Sequence, residues 1–133
     1  MELVVLITVL ALIQYLFFGY NVGVARVKYG VKAPAISGHP VFERYYRVQM
    51  NTLEQLMVFV PALWLFATMS ERVKWPGNEI AALLGVIWLL GRALYARAYV
   101  ADPAKRGTGF MLTFMPSAVL LLGTLIALFV ALG

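Results

Sequence analysis

Apolar residues come in long runs along this chain, and polar ones gather in the gaps. The first run extends from Leu3 to Ala25 and is interrupted by Gln14, Tyr20 and Asn21. About 20 apolar residues are needed to cross a bilayer core as a helix, so this run predicts a first membrane span over residues 3–25. It is too long for the apolar region of a cleaved signal peptide, and Glu2 stands where such a peptide is basic. Arg26 to His39 follows, and its Lys28, Gly30, Lys32, Pro34 and Gly38 read as a loop. The second run begins polar near Phe42 and turns apolar through Ala67, which predicts a span over residues 44–69. Pro61 lies inside it and is expected to bend it, a feature that membrane helices tolerate. Met69 to Asn78, with Trp75-Pro76-Gly77, reads as a short polar loop. A third span is predicted over residues 79–100, a turn over Ala101 to Gly107, and an uncharged fourth span over residues 108–132 with Pro116 inside it.

Composition agrees with this pattern. Of 133 residues, 62% are hydrophobic and only 13% charged, against about 45–50% and about 25% in a soluble domain. Mean hydropathy is +0.84. A soluble domain, a disordered chain and a collagen are all excluded, and the absence of cysteine excludes a disulfide scaffold, thiol chemistry by the protein's own side chains and thiolate metal sites. The expected fold class is all-α: one integral membrane domain over residues 1–133, built as a four-helix bundle.

Charge then orients the bundle. Eleven Lys and Arg against six Asp and Glu give a net +5. In a soluble protein that balance would point to nucleic acid. Here the cations sit between apolar runs, so they report topology, and no nucleic-acid partner is expected. Arg26, Lys28, Lys32, Arg44 and Arg47 flank the first loop, and Arg97, Lys105 and Arg106 the third, whereas the second holds only Arg72 and Lys74. The positive-inside rule places loops one and three in the cytoplasm and both termini outside.

Ionisable residues inside membrane spans are costly and mark function by default. Two groups qualify. Arg47, Asn51 and Glu54 fall at i, i+4 and i+7 and share one helix face. A guanidinium, an amide and a carboxylate together suit a zwitterionic ligand with carboxylates, an ammonium and peptide groups. The competing reading is a network in which Arg47 and Glu54 satisfy neighbouring helices. Arg92, Tyr95 and Tyr99 recur at i, i+3 and i+7 near the end of the third span. An interfacial aromatic belt is the alternative for the tyrosines. His39, the only histidine, has no carboxylate or cysteine companion at ligand spacing, so no metal site is expected.

The run FERYYRVQMNTLEQL, residues 42–56, resembles the signature of the MAPEG family, membrane-associated proteins of eicosanoid and glutathione metabolism. Arg26 closing the first span, GRALYARAY in the third and Arg106 beyond it carry the resemblance further. It implies a homotrimer of four-helix bundles that binds glutathione as co-substrate between subunits, near the cytoplasmic side. Arg47, Asn51 and Glu54 match positions that hold glutathione's polar groups. Tyr95 and Tyr99 match tyrosines lining that pocket, and Arg26 and Gln49 match positions supplied by the adjacent subunit. Arg106 matches the arginine that stabilises the glutathione thiolate, which implies a glutathione transferase, with possible peroxidase activity, acting on lipophilic substrates. Membrane lipids would surround it. Where leukotriene C4 synthase has a tyrosine after the motif's glutamate this chain has Gln55, and Val27 replaces that enzyme's second arginine. A non-catalytic lipid-binding member of the family is the main alternative. A small multidrug transporter is a weaker one, because such transporters need an acid in the first span and this one offers Gln14.

Overall fold

A computed structural model describes residues 1–133. Four long helices, α1 (Glu2–Tyr29), α2 (Pro40–Arg72), α3 (Gly77–Ala101) and α4 (Gly107–Leu132), are joined by short connections, the last carrying a single 3₁₀ turn at Pro103–Lys105. All four are long and apolar enough to cross a membrane. With 33 residues, α2 is about 50 Å long at 1.5 Å per residue, well beyond a hydrocarbon core of about 30 Å. Its N-terminal half carries the polar motif.

The helices outrun the apolar runs that announce them. α1 continues through Arg26 and Lys28 to Tyr29, where Gly30 takes a left-handed conformation (φ 69°) and its N–H caps the Arg26 carbonyl. Basic residues in a last helical turn complement the helix dipole, so charge there ends the membrane segment without ending the helix. α2 starts at Pro40 because His39 caps it: its Nδ1 accepts from the Val41 N–H at 3.1 Å, and Pro40 at the first position needs no N–H partner. The predicted polar loop over residues 69–78 shrinks to residues 73–76, since α2 runs to Arg72 and α3 begins at Gly77. Both α2 and α4 continue helically through Pro61 and Pro116.

Burial is uneven along the bundle. One apolar core fills the end near the termini and the α2–α3 connection. Val4, Ile7, Ala11, Leu56, Phe59, Leu63, Phe66, Trp88 and Leu120 meet there, with the Trp88 and Phe59 rings stacked at 4.3 Å. The opposite end has only two small apolar clusters, and its interior holds Thr52, Arg92 and Thr113, all fully buried. Large apolar side chains along all four helices face outward, among them Leu16, Phe17, Leu90 and Phe129. On a chain of this size such a continuous apolar surface belongs against lipid or another subunit.

Candidate functional site

The polar motif of α2 is set by the local structure of its first turns. His39 stacks on Tyr29 at 4.1 Å, which folds the loop back against the end of α1. Arg26 holds the same loop, donating to the Ala35 carbonyl at 2.6 Å with its guanidinium 4.8 Å over the Phe42 ring. Arg44 reaches across to the end of α3 and donates to the Val100 carbonyl at 3.1 Å, an unpaired acceptor of the helix terminus. These ties fix the helix, so Arg47, Asn51 and Glu54 lie along one stripe of it. Arg47 and Glu54 are exposed and Asn51 half-buried. The chain's only salt bridge joins the Met1 amino group to Glu2. Arg47 and Glu54 form no salt bridge with each other or with a neighbour. Asn51 Oδ1 is enclosed and has no hydrogen-bond partner.

α3 supplies the second wall. Arg92 is 0% exposed. Its Nη2 donates to Thr52 Oγ1 at 2.9 Å, and the Thr52 hydroxyl donates in turn to the Val48 carbonyl at 2.7 Å. The guanidinium lies 4.3 Å from the centre of the Tyr95 ring, and Tyr95 stacks on Tyr99 at 5.6 Å. Arg92 Nε and Nη1 have no partner. A fully buried cation with two idle donors is expensive unless something else occupies them. The sequence pattern places Arg92 with the tyrosines but leaves it without a role. Its burial, and its bond to Thr52, need the α2–α3 packing to become visible.

Tyr95 is where these parts meet. It packs with Phe18 of α1 and Val48 of α2, and the Arg92 guanidinium lies over its ring. Gly109 lets α4 come this close, because a Cβ there would fall on the Tyr95 backbone. Arg106 stands at the N-cap of α4, exposed, with Nη1 donating to the Pro103 carbonyl at 2.9 Å. Gln49 leans over Gly19, where a Cβ would lie 2.9 Å from its Nε2. Within one chain, then, Arg47, Tyr95, Tyr99 and Arg106 gather at one end of the bundle with Asn51 and Glu54, while Arg26 is tied to its own loop. No three His, Cys, Asp or Glu side chains come together as a metal site would require.

Comparison with known proteins fits this geometry. Residues 4–126 match the MAPEG family profile. The chain is 50% identical over 123 residues to an uncharacterized protein of Synechocystis sp., covering 92% of this chain and 85% of that one. It is 38% identical over 121 residues to human microsomal glutathione S-transferase 2, covering 90% of this chain and 78% of the relative. Bovine leukotriene C4 synthase is 30% identical over 100 residues, covering 75% of this chain and 63% of that protein. Four membrane-spanning helices, a charged motif opening the second of them, and a profile match over nearly the whole length lead to one conclusion: this chain is an integral membrane protein of the MAPEG family.

Proposed function

We propose that this protein is a membrane-bound glutathione transferase, with peroxidase activity, that ionises glutathione and delivers the thiolate to lipophilic electrophiles or lipid hydroperoxides. The observation that carries the reading is a set of groups left without partners in one place. Arg47 and Glu54 lie outside any ion pair, and Asn51 Oδ1 and two Arg92 nitrogens lack hydrogen bonds. Such a set complements a zwitterion with carboxylates, an ammonium and peptide groups. The homologous glutathione S-transferase supports the same ligand.

In this reading Arg47 holds a glutathione carboxylate, Glu54 accepts from the ammonium and Asn51 meets a peptide N–H. Tyr95 and Tyr99 line the pocket. Arg106 acts on the sulfur. A thiol with a pKa near 8.5 is only a few per cent ionised at pH 7, and a guanidinium beside it favours the anion. The thiolate then forms a bond to an electrophilic carbon, whose leaving group departs with the electron pair. With a hydroperoxide, sulfur attacks the terminal oxygen and a second glutathione completes the disulfide, releasing alcohol and water. Both partners arrive at the site from different phases, so much of the catalysis is proximity.

The protein works as a homotrimer, with Arg26 and Gln49 facing the neighbouring subunit's glutathione, loops one and three in the cytoplasm and both termini outside. Two measurements on intact membranes test the arrangement. Cross-linking should end at trimers, and a reporter enzyme fused after Gly133 should be active only on the outer side. Cross-linking that ends at dimers or a cytoplasmic reporter would refute it.

Catalysis is tested on purified protein. Glutathione should raise its melting temperature by ligand linkage and support conjugation of a reactive aryl halide. Arg106→Ala should keep the melting shift and lower the rate at pH 7 about tenfold for each pKa unit the thiol regains, with recovery at alkaline pH. A melting shift from bound lipid but none from glutathione would favour the non-catalytic, lipid-binding alternative.

A further inference from the structure

The last turns of α1 border two adjoining hollows. The smaller, of about 120 Å³, is a notch between α1 and the start of α2, lined by Asn21, Ala25, Lys28, Tyr29 and Tyr45. The larger, of about 510 Å³, is an open apolar trough on the outer face of α1, formed by Tyr20, Gly23, Val24 and Val27. Val24 and Lys28 border both, so the two are continuous. Gly23 keeps the trough open, since nothing lies within 4 Å of its Cβ position.

Each polar side chain of the notch can donate a hydrogen bond, and no carboxylate lines it. Lys28 forms no salt bridge, and its Nζ rests 5.5 Å from the centre of the Tyr29 ring. The Asn21 amide and the Tyr45 hydroxyl take part in none of the chain's side-chain hydrogen bonds. A free cation ringed by donors fits an anion. Size narrows the choice: sites for drug-sized molecules run to about 300–1,000 Å³, so the notch admits a single phosphate group and not a tripeptide. Lys28 also stands two residues past Arg26, which turns it about 160° around the helix and away from the glutathione motif.

Depth says what carries the anion. Lys28 is in the last turn of α1, and Tyr20 lies eight residues earlier, about 12 Å deeper along the axis. The polar notch therefore opens at the membrane surface, and the trough leads from it into the hydrocarbon. A free anion would use the notch and leave the trough bare, whereas a phospholipid fills both. The cations flanking the first and third loops give this end a positive field, which favours lipids of net negative charge over zwitterionic ones.

We propose that Lys28, Asn21 and Tyr45 form a binding site for one anionic phospholipid of the leaflet at this end of the bundle. Its phosphate sits in the notch against the Lys28 ammonium, and one acyl chain lies in the trough over Gly23. The site holds a resident lipid on the outer flank of α1, apart from the groups that meet glutathione.

The test uses the full-length chain in detergent, without glutathione, so its failure is separable from failure of the transferase reading. Melting-shift titrations compare phosphatidylglycerol, phosphatidylcholine with the same acyl chains, and inorganic phosphate. Phosphatidylglycerol is expected to bind about fivefold tighter than phosphatidylcholine, the value of one lysine at an anionic lipid surface. Lys28→Gln should abolish that preference, and Lys74→Gln, at the opposite end of the bundle, should leave it intact. Gly23→Leu fills the trough and should weaken both lipids alike. Lys28 and Gly23 are exposed on the helix surface, so both variants should fold normally. Inorganic phosphate alone should give no comparable shift. Equal binding of the two lipids, a preference that survives Lys28→Gln, lipid binding untouched by Gly23→Leu, or a Lys28-dependent shift as large with inorganic phosphate would overturn the proposal.

Discussion

Arg92 carries a buried charge that no salt bridge neutralises. It is fully enclosed, bonded through one nitrogen to Thr52 and stacked on Tyr95, with its other nitrogens idle. Replacing buried ionic groups by apolar ones of similar volume is often neutral or stabilising by about 1–4 kcal/mol. Arg92→Met is therefore expected to melt no lower than the unmodified protein. Its affinity for glutathione should nonetheless fall, since Tyr95 loses the group that orients it. A lower melting temperature with unchanged glutathione affinity would make Arg92 purely structural. The individual polar residues were legible in the sequence because charge in an apolar run is conspicuous. What was not legible was their partnership. That Arg44 caps α3, that Arg26 pins a loop and that Thr52 receives Arg92 all depend on neighbours more than eight positions away.

Helix packing is decided by glycines at the crossings. A Cβ at Gly109 would meet the Tyr95 backbone and one at Gly91 would lie 2.7 Å from Leu112 Cβ, so α3 and α4 touch without intervening side chains. Small residues play this part in membrane bundles, where backbones must approach closely. Gly109→Val should force the two helices apart and cost about 1–3 kcal/mol, and it should disturb Tyr95 as well. Gly23, in the interior of α1, has nothing within 4 Å of its Cβ position. Gly23→Ala should be neutral or stabilise by about 0.5–1 kcal/mol, the ordinary helix preference for alanine. Equal effects of the two substitutions in thermal melts would contradict this packing. The four helices themselves were legible as apolar runs. Their ends were not, because hydropathy marks where lipid stops and not where backbone hydrogen bonding stops. Arg26 and Lys28 extend α1, His39 starts α2 early, and Glu71 and Arg72 carry it beyond the apolar run.

The whole molecule divides by depth. One end is an apolar core anchored by Trp88 and Phe59. The other has a polar interior of Thr52, Arg92 and Thr113 with Arg47 and Arg106 exposed at the same end, and outward-facing apolar side chains belt the bundle. That division suits a protein that receives a charged, water-soluble partner at one end and a lipophilic one from the side. The membrane class and family were readable from composition and from residues 42–56. The enclosed state of Asn51 Oδ1 and Ser117 Oγ was not, since burial is a property of packing. Glutathione binding at this site and ionisation of its thiol are measured together by calorimetric titration in buffers of different ionisation enthalpy. Saturable binding at pH 7 with net release of protons, diminished in Arg106→Ala, is the expected result. Absence of binding, or binding without proton release, would contradict the claim.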